Sequence, residues 1–231
     1  MENEQLLNIQ TTRQPRKLLP IGKEVAASRK KFELTLVRSD DLLLREQAKS
    51  LVQEVAVLEK GWPVGDYIDR FQVRSKLWVV RSESIVVGTV LVIEGDPETF
   101  PIRSCDAWPN LQTPSGNCAE IPFVVVAKNF RGSSGVSHIL CAACHWYFHR
   151  NQIDYMELTL DKNLFDFYIW HGMEMQPISE KMGGGEKCHW GESGIFPARL
   201  FVGNPNDPES MGAKIQQKRP EMWKIFLKYK G

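Results

Sequence analysis

A glycine-rich loop between a predicted strand and a predicted helix has the clearest chemical potential in the sequence. It follows the apolar run at residues 120–127 and reads Arg131-Gly132-Ser133-Ser134-Gly135-Val136. Backbone N–H groups of such a loop, together with the unpaired N–H groups that begin the next helix, bind anions. We therefore predict that the loop binds a phosphate group. Its two serines are interpreted as hydrogen-bond donors, not nucleophiles, because no Gly-x-Ser-x-Gly sequence surrounds them.

A second set of reactive side chains lies on the helix predicted after this loop. Cys141, His145 and His149 are four residues apart and share one helix face. Cys188 or His189 could complete a tetrahedral zinc site with them. Thiols are also common on buried helix faces, and the chain has no second paired-ligand motif. We therefore expect no metal site.

The composition excludes some classes of function. The 231 residues carry 29 basic and 28 acidic side chains, so the net charge of +1 gives no global reason to expect nucleic acid as a partner. The chain has no signal-peptide pattern and no apolar run long enough to span a membrane. Five cysteines without disulfide-type spacing favour a reducing, cytoplasmic location.

Residues 1–31 are polar and basic, and we interpret them as a flexible arm. The arm is either a solvated tail or a landing patch for an acidic carrier protein. Residues 32–231 are predicted to form a single domain.

The elements that must position these residues follow from hydrophobic periodicity. Alternating or continuous apolar runs predict strands at residues 32–37, 76–81, 85–93, 120–127, 155–160 and 195–202. Helical spacing predicts helices at residues 43–58, 136–151, 162–170 and 221–229. Pro122 lacks an N–H donor and predicts a bulge or interruption in its strand. The order of elements predicts an α/β domain with a central mixed sheet flanked by helices.

Two of these segments resemble the general-control-related N-acetyltransferase (GNAT) superfamily. That superfamily has a loop of the form Arg/Gln-x-x-Gly-x-Gly/Ala and a late helix ending Tyr-x-x-x-Gly-Phe. Here the loop begins at Arg131, with Gly135 four residues later instead of three, and the helix ends with Tyr168, Gly172 and Met173. The resemblance implies the acyl-CoA N-acyltransferase fold.

The stretch from Trp62 to residue 179 is similar to one branch of that superfamily, the acyl-homoserine-lactone synthases and the related long-chain N-acyl amino acid synthases. The branch has a tryptophan, an Asp-x-x-Asp pair, a Val-x-Gly strand and a strand opening Glu-x-Arg-Phe-x-Val, in that order. The matching residues here are Trp62, Asp66, Asp69, Val86, Gly88, Glu120, Phe123 and Val125.

The resemblance implies transfer of an acyl chain from acyl carrier protein or coenzyme A to a small amine, with no metal or redox cofactor. In this reading residues 131–136 bind the donor, and Trp62, Asp66 and Asp69 bind the acceptor. The aspartates could otherwise be turn and cap residues. Another interpretation is a non-catalytic module that binds acyl groups or coenzyme A.

Glu120 and Tyr168 are the predicted catalytic residues. Partial burial at the start of a strand would raise the pKa of Glu120 and suit it to accept the amine's proton. The phenol of Tyr168 would protonate the leaving thiolate. The alternatives are a strand-end carboxylate paired with a lysine or arginine, and a tyrosine that packs between Phe167 and Trp170.

Two positions depart from the branch, which has arginines where this chain has Leu91 and Pro122. Guanidinium groups are bidentate donors that a leucine and a proline do not replace. The departures therefore argue against acyl-homoserine-lactone chemistry and favour a simpler acceptor, such as an amino acid. The alternative is that Arg74 or Arg103 occupies the same position in space.

Overall fold

The computed structural model describes residues 31–104, 111–132, 134–170, 173–178, 195–204 and 207–230. Residues 1–30, Ser133, Gly172, Cys188 and His189 lie outside these ranges, as does the glycine-rich segment 183–185. The predictions made for them therefore stay predictions.

The described strands form one mixed sheet. Its members are β1 (Phe32–Val37), β2 (Ser75–Ser82), β3 (Ile85–Ile93), β4 (Cys118–Val126), β5 (Tyr155–Asp161), β6 (Met175–Pro177) and β7 (Ile195–Phe201). Their spatial order is β1-β2-β3-β4-β5-β7-β6. Among these strands the pairing of β4 with β5 is parallel, and every other pairing is antiparallel. The predicted mixed sheet is confirmed.

Helices cover both faces of the sheet. They are α1 (Leu42–Val52), α2 (Tyr67–Arg70), α3 (Val136–Arg150), α4 (Lys162–Trp170), α5 (Met211–Lys218) and α6 (Pro220–Lys228). α1 continues directly into a π-helical segment, Gln53–Glu59. Asp41 caps α1 by accepting a hydrogen bond from the N–H of Leu44 at 3.1 Å, and Gly61 follows the helix with a φ of +71°. Both ends are the ones that capping rules predict.

The core has two parts, one on each face. The α1 side holds Leu51, Val52 and Ile68 against the sheet, and the α3 side holds Val136, Leu140 and Phe148. β3 can approach α3 closely because residue 88 is glycine. A Cβ atom added at Gly88 would lie 2.5 Å from Cγ1 of Val136. The glycine of the Val-x-Gly motif therefore has a packing role.

α6 packs on α3 around an unusual histidine. His145 is fully buried, and neither ring nitrogen has a hydrogen-bond partner among the described residues. Its ring contacts those of His149, Trp223 and Phe226. Burial, followed by the charge of His149, lowers the pKa of His145 to about 3. The structure thus holds this imidazole in its neutral form.

His145 is expected to make the fold sensitive to acid. The unfolded side chain titrates near pH 6.5, so between pH 6.5 and 3 the unfolded state binds the extra proton. This contribution to stability is complete above pH 6.5 and is lost as pH falls, by up to about 1.4 kcal/mol per pH unit. Urea unfolding at several pH values should show a shallower acid loss in His145→Leu than in wild type. Equal slopes would contradict the assignment.

Candidate active site

The parallel strands β4 and β5 separate part-way along their length. They pair over residues 118–121 of β4 and 155–158 of β5. Beyond this point β4 stays paired with β3, and β5 stays paired with β7. A gap therefore opens in the middle of the sheet at the carboxyl ends of two neighbouring parallel strands.

Pro122 lies at the point where the strands separate. It follows Ile121, which forms the last pair with Leu158, and it has no N–H with which to continue the ladder. It also lies in a bulge, because Leu91 pairs with Phe123 while Ile93 pairs with Glu120. Of the bulge or interruption predicted at Pro122, the bulge is confirmed, since β4 itself continues through Pro122 to Val126.

An apolar cavity of about 50 Å³ lies beside the gap on the α3 side of the sheet. Strand residues, two thiols of α3 and the C-terminal helices form its walls. They are Ile121, Val124, Met156, Leu158 and Leu200 from strands, Cys141 and Cys144 from α3, Tyr168 and Met173, and Met211, Ile215, Met222 and Phe226. Unbranched methionine side chains adapt their shape to what they contact. The lining suits an apolar, flexible ligand, and these side chains must move to admit an acyl chain because the empty volume is small.

Glu120 lies on the opposite face of the sheet. Its neighbours Ala119 and Ile121 belong to the α3-side core, so alternation along the strand points the glutamate towards α1. The side chain is fully buried. Its Oε2 accepts a hydrogen bond from the N–H of Ile102 at 3.1 Å, and its Oε1 has no partner among the described residues.

Burial raises the pKa of Glu120 to about 8, and the hydrogen bond from Ile102 opposes this rise. A carboxyl that titrates near neutral pH can accept a proton and later return it. Oε1, which is buried without a hydrogen-bond partner among the described residues, is the atom able to do so. The carboxyl at the start of the central strand is therefore desolvated and its pKa raised, which are the two properties that the sequence predicted for it.

A second glutamate lies beside Glu120, and the sequence analysis missed it. Glu157 of β5 pairs with Glu120 across the parallel strands and is also fully buried. Nη2 of Arg103 lies 2.8 and 2.9 Å from its two carboxylate oxygens, and Nη2 of Arg199 lies 2.7 Å from Oε1. The sequence signal was an acid placed between the apolar residues Met156 and Leu158 of a strand.

The loop before α3 has the backbone that an anion site requires. Gly132 and Gly135 both have a φ of +79°, and Gly135 begins the helix. The hydroxyl of Ser134 donates to the carbonyl of Phe130. The Ser134 oxygen also accepts the N–H of Val136 at 3.3 Å, so that N–H is occupied, and the remaining N–H groups of the first turn point out of the helix end.

Arg131 has a different environment from the one expected of a phosphate ligand. Its Nη1 and Nη2 lie 2.6 and 2.7 Å from the carboxylate oxygens of Glu59, and its Nε donates to the carbonyl of Val126 at 2.9 Å. The guanidinium therefore ties the loop to the π-helical end of α1. The side chain of Arg131 is thus bound by groups of the protein itself.

The predicted acceptor residues lie on the same side of the sheet as Glu120 but in different environments. Trp62 is half-buried against the α1-side core, and Asp66 is exposed at the start of α2. Asp69 pairs with Nζ of Lys49 at 2.7 Å, and this hydrogen bond lowers the pKa of Asp69. Tyr67 between the aspartates is buried, and its pKa is raised first by burial and then by the charge of Glu120. The α2 segment therefore lies on the same face of the sheet as Glu120. Asp69, however, is paired with side chains of α1.

Tyr168 lies on the other face, in the wall of the apolar cavity. Burial raises its pKa far above the ordinary value, so the phenol stays protonated through the neutral range. The sheet separates it from Glu120, and the gap between β4 and β5 is where the two faces adjoin. The side chains of Phe167 and Trp170, its predicted packing partners, lie outside the described residues.

Among the described residues, no three His, Cys, Asp or Glu side chains are placed to hold a metal ion. In the same part of the chain, no helix is long and apolar enough to cross a membrane.

Solved structures share this architecture. The N-acyl amino acid synthase FeeM from uncultured soil microbes has a TM-score of 0.61 and 14% identity, covering 80% of this chain and 98% of its own. The acyl-homoserine-lactone synthase LasI has a TM-score of 0.58 and 14% identity, covering 79% and 96%. The coenzyme A-dependent acyl-homoserine-lactone synthase BjaI, solved with S-adenosylmethionine and isopentyl-CoA, has a TM-score of 0.58 and 15% identity, covering 87% and 90%.

The fold is that of the acyl-CoA N-acyltransferases. The fold expected from the GNAT-like motifs is thereby confirmed, as is its likeness to the structures of the synthase branch. At 14–15% identity these similarities establish the fold alone. No protein-family model and no curated protein sequence matches the chain.

Proposed function

We propose that the chain is an N-acyltransferase that moves an acyl group from a thioester, carried by acyl carrier protein or coenzyme A, to the amine of a small acceptor such as an amino acid. One observation carries the proposal: the strand gap lies between an apolar cavity on one face and a buried carboxyl, Glu120, on the other. An acyl chain and a polar amine require these two environments. FeeM, which shares the fold, is an N-acyl amino acid synthase. We place the reaction in the cytoplasm, on the cysteine pattern of the sequence.

The proposed chemistry uses one residue from each face. The acceptor's amine attacks the thioester carbonyl, and Glu120 takes the proton that the nitrogen loses, directly or through a water molecule. The tetrahedral intermediate then collapses to the amide and expels the thiolate. Tyr168 supplies the thiol proton, and its phenolate regains a proton from solvent, to which Glu120 in turn releases the one that it took.

The acceptor is proposed to be an amino acid and not S-adenosylmethionine. Leu91 is fully buried in the α1-side core and Pro122 lies in the bulge, so neither offers a charge to a substrate. Two guanidiniums nevertheless lie on the Glu120 face, those of Arg103 and Arg199. Both guanidiniums bind the carboxylate of Glu157. Arg74, the other candidate, donates instead to the Thr99 carbonyl at 2.6 Å.

A thiol-release assay tests the proposed function. Purified protein is mixed with acyl-CoA or acyl carrier protein donors of several lengths and with single amino acids or S-adenosylmethionine, and products are identified by mass spectrometry. We expect thiol release that depends on an amino acid and yields its N-acyl derivative. A protein that binds the thioester without any turnover would be a binding module, and preferential formation of an acyl-homoserine lactone would overturn the choice of acceptor.

The donor loop gives a separate prediction for binding. Gly135→Val places a β-branched residue at a φ of +79°, which costs about 1–2 kcal/mol, and should weaken donor affinity roughly tenfold by distorting the loop. Gly135→Asn is the matched control, because asparagine tolerates this conformation. Calorimetric titration with coenzyme A measures both variants. A folded valine variant that binds coenzyme A as tightly as wild type would contradict the phosphate cradle.

A further inference from the structure

The two buried glutamates of the central strands are direct neighbours. Glu120 and Glu157 form one pair of the parallel ladder and point to the same face, and both are fully buried. Adjacent strands lie about 4.8 Å apart, so their carboxyl groups are within strong electrostatic reach of each other. Two buried carboxylates at this distance do not readily ionise together.

The surroundings of the two carboxyls differ in a consistent direction. Glu157 accepts hydrogen bonds from Arg103 at 2.8 and 2.9 Å and from Arg199 at 2.7 and 3.2 Å. Guanidinium groups are always charged, so Glu157 is the carboxylate that is stabilised as an anion. Glu120 receives only the N–H of Ile102 from the described residues. The pair therefore joins one carboxylate bound by two guanidiniums to one carboxyl that accepts a single backbone hydrogen bond.

We propose that Glu157, held as an anion by Arg103 and Arg199, is a positioning residue whose charge keeps the neighbouring carboxyl of Glu120 ready to accept the acceptor's proton. This inference rests on the proposed function, in which Glu120 is the base. It adds a residue that contacts no substrate and acts through Glu120. The general pattern is two neighbouring carboxyls placed in different surroundings.

Other charged or titratable groups also act on Glu120. They come from each element that packs around it: Cys118 on its own strand, Glu157 on β5, Tyr67 on α2, Arg74 before β2 and Arg103 in the Pro101–Ser104 turn. The pKa of Glu120 is raised first by burial and next by the charge of Glu157, while the two arginines and the Ile102 N–H lower it. Opposite charges therefore act on one carboxyl from two neighbouring side chains.

This arrangement provides a test with opposite signs. Glu157→Gln removes a negative charge beside Glu120 and should lower its titration midpoint by about one pH unit. Arg103→Gln removes a positive charge, while Arg199 still holds Glu157, and should raise the same midpoint. A packing disturbance alone does not predict shifts in opposite directions. The midpoint is measured by carboxyl ¹³C NMR of protein labelled in glutamate, with the Glu120 signal assigned by its loss in Glu120→Gln.

Controls keep the test decisive. Glu33→Gln changes the same charge in the ion pair with Arg81, at the far edge of the sheet, and should leave the midpoint unchanged. Glu157→Gln leaves two buried guanidiniums without a counter-charge, which can impair folding. If it does, the double variant Glu157→Gln/Arg199→Gln takes its place, and the same downward shift of the Glu120 midpoint is expected. Unchanged midpoints in folded Glu157 and Arg103 variants, or shifts of the same sign, would overturn the proposal.

The test separates this inference from the proposed function. The NMR titration uses resting protein and needs no substrate, so it decides the inference even if no acyl transfer is found. If transfer is found, the acid limb of kcat/KM against pH should move with the NMR midpoint in both variants. An acid limb that stays fixed while the midpoint moves would show that Glu157 tunes a carboxyl that is not the base, which would also overturn the proposal.

Discussion

Glu120→Gln is expected to lower turnover at least about a hundredfold, with donor affinity little changed, because the amide keeps the shape of the side chain and removes the proton acceptor. Wild-type kcat/KM should rise with pH and level off above about 8, where the buried carboxyl is ionised. Steady-state kinetics at saturating acceptor across this range provide the measurement. Full activity of the variant at every pH would move the base to another group.

The same variant has a stability readout that shows whether the fold is intact. Glu120 titrates near pH 8 when folded and near 4.5 when exposed, so the folded state holds the extra proton between these values. This contribution is present below pH 4.5 and is lost as pH rises towards 8. Glu120→Gln should therefore lose less stability than wild type between pH 6.5 and 8, a range above the titration of His145. A variant less stable than wild type at pH 8 would point to a disrupted fold.

The preferred acyl-chain length should increase when the apolar cavity is enlarged and decrease when it is filled. Met222→Ala removes up to three heavy atoms from the cavity wall and should favour longer acyl chains. Cys144→Leu adds bulk from α3 and should favour shorter ones. Each methylene gained or lost is worth about 0.8 kcal/mol, or roughly fourfold in preference, so three methylenes change selectivity well over tenfold.

The measurement is competition among thioesters of different lengths, with products quantified by mass spectrometry. Lys224→Ala is a matched control, since this residue lies on α6 near Met222 but is exposed and pairs with Glu221. Its product distribution should equal that of wild type. Identical distributions in both cavity variants would show that the cavity does not hold the acyl chain.

Local sequence patterns predicted the larger elements well, for physical reasons that particular segments illustrate. The alternation of β1, the apolar run of β4 and the apolar stripe of α3 each repeat often enough to define a period. The elements that were missed are short: β6 has three residues, α2 has four, and α5 has eight and includes Gly212. Gly212 is explained by tertiary packing, because a Cβ there would lie 2.7 Å from the His145 ring. The π-helical end of α1 was also missed.

The environment of a site residue was predictable where its position along its own strand determines that environment. Glu120 follows from burial and strand order, and Pro122 from its missing N–H. Glu157 with Arg103 and Arg199 was not found, since these partners lie 54 and 42 residues from Glu157 along the chain. Likewise, local sequence could not show that Arg131 binds Glu59, 72 residues away. Long-range ion pairs depend on the register of the sheet, which hydrophobic periodicity alone does not define.

Pro122 affects whether the opening between β4 and β5 exists before a ligand binds. Two parallel strands with a full set of donors and acceptors would gain hydrogen bonds by closing together, so an opening between them would need a bound molecule to keep it apart. A proline at the first unpaired position removes one of those donors and so reduces the gain in the empty protein. The cleft is thus preorganised by the covalent chain, and a ligand that enters has less rearrangement to offset.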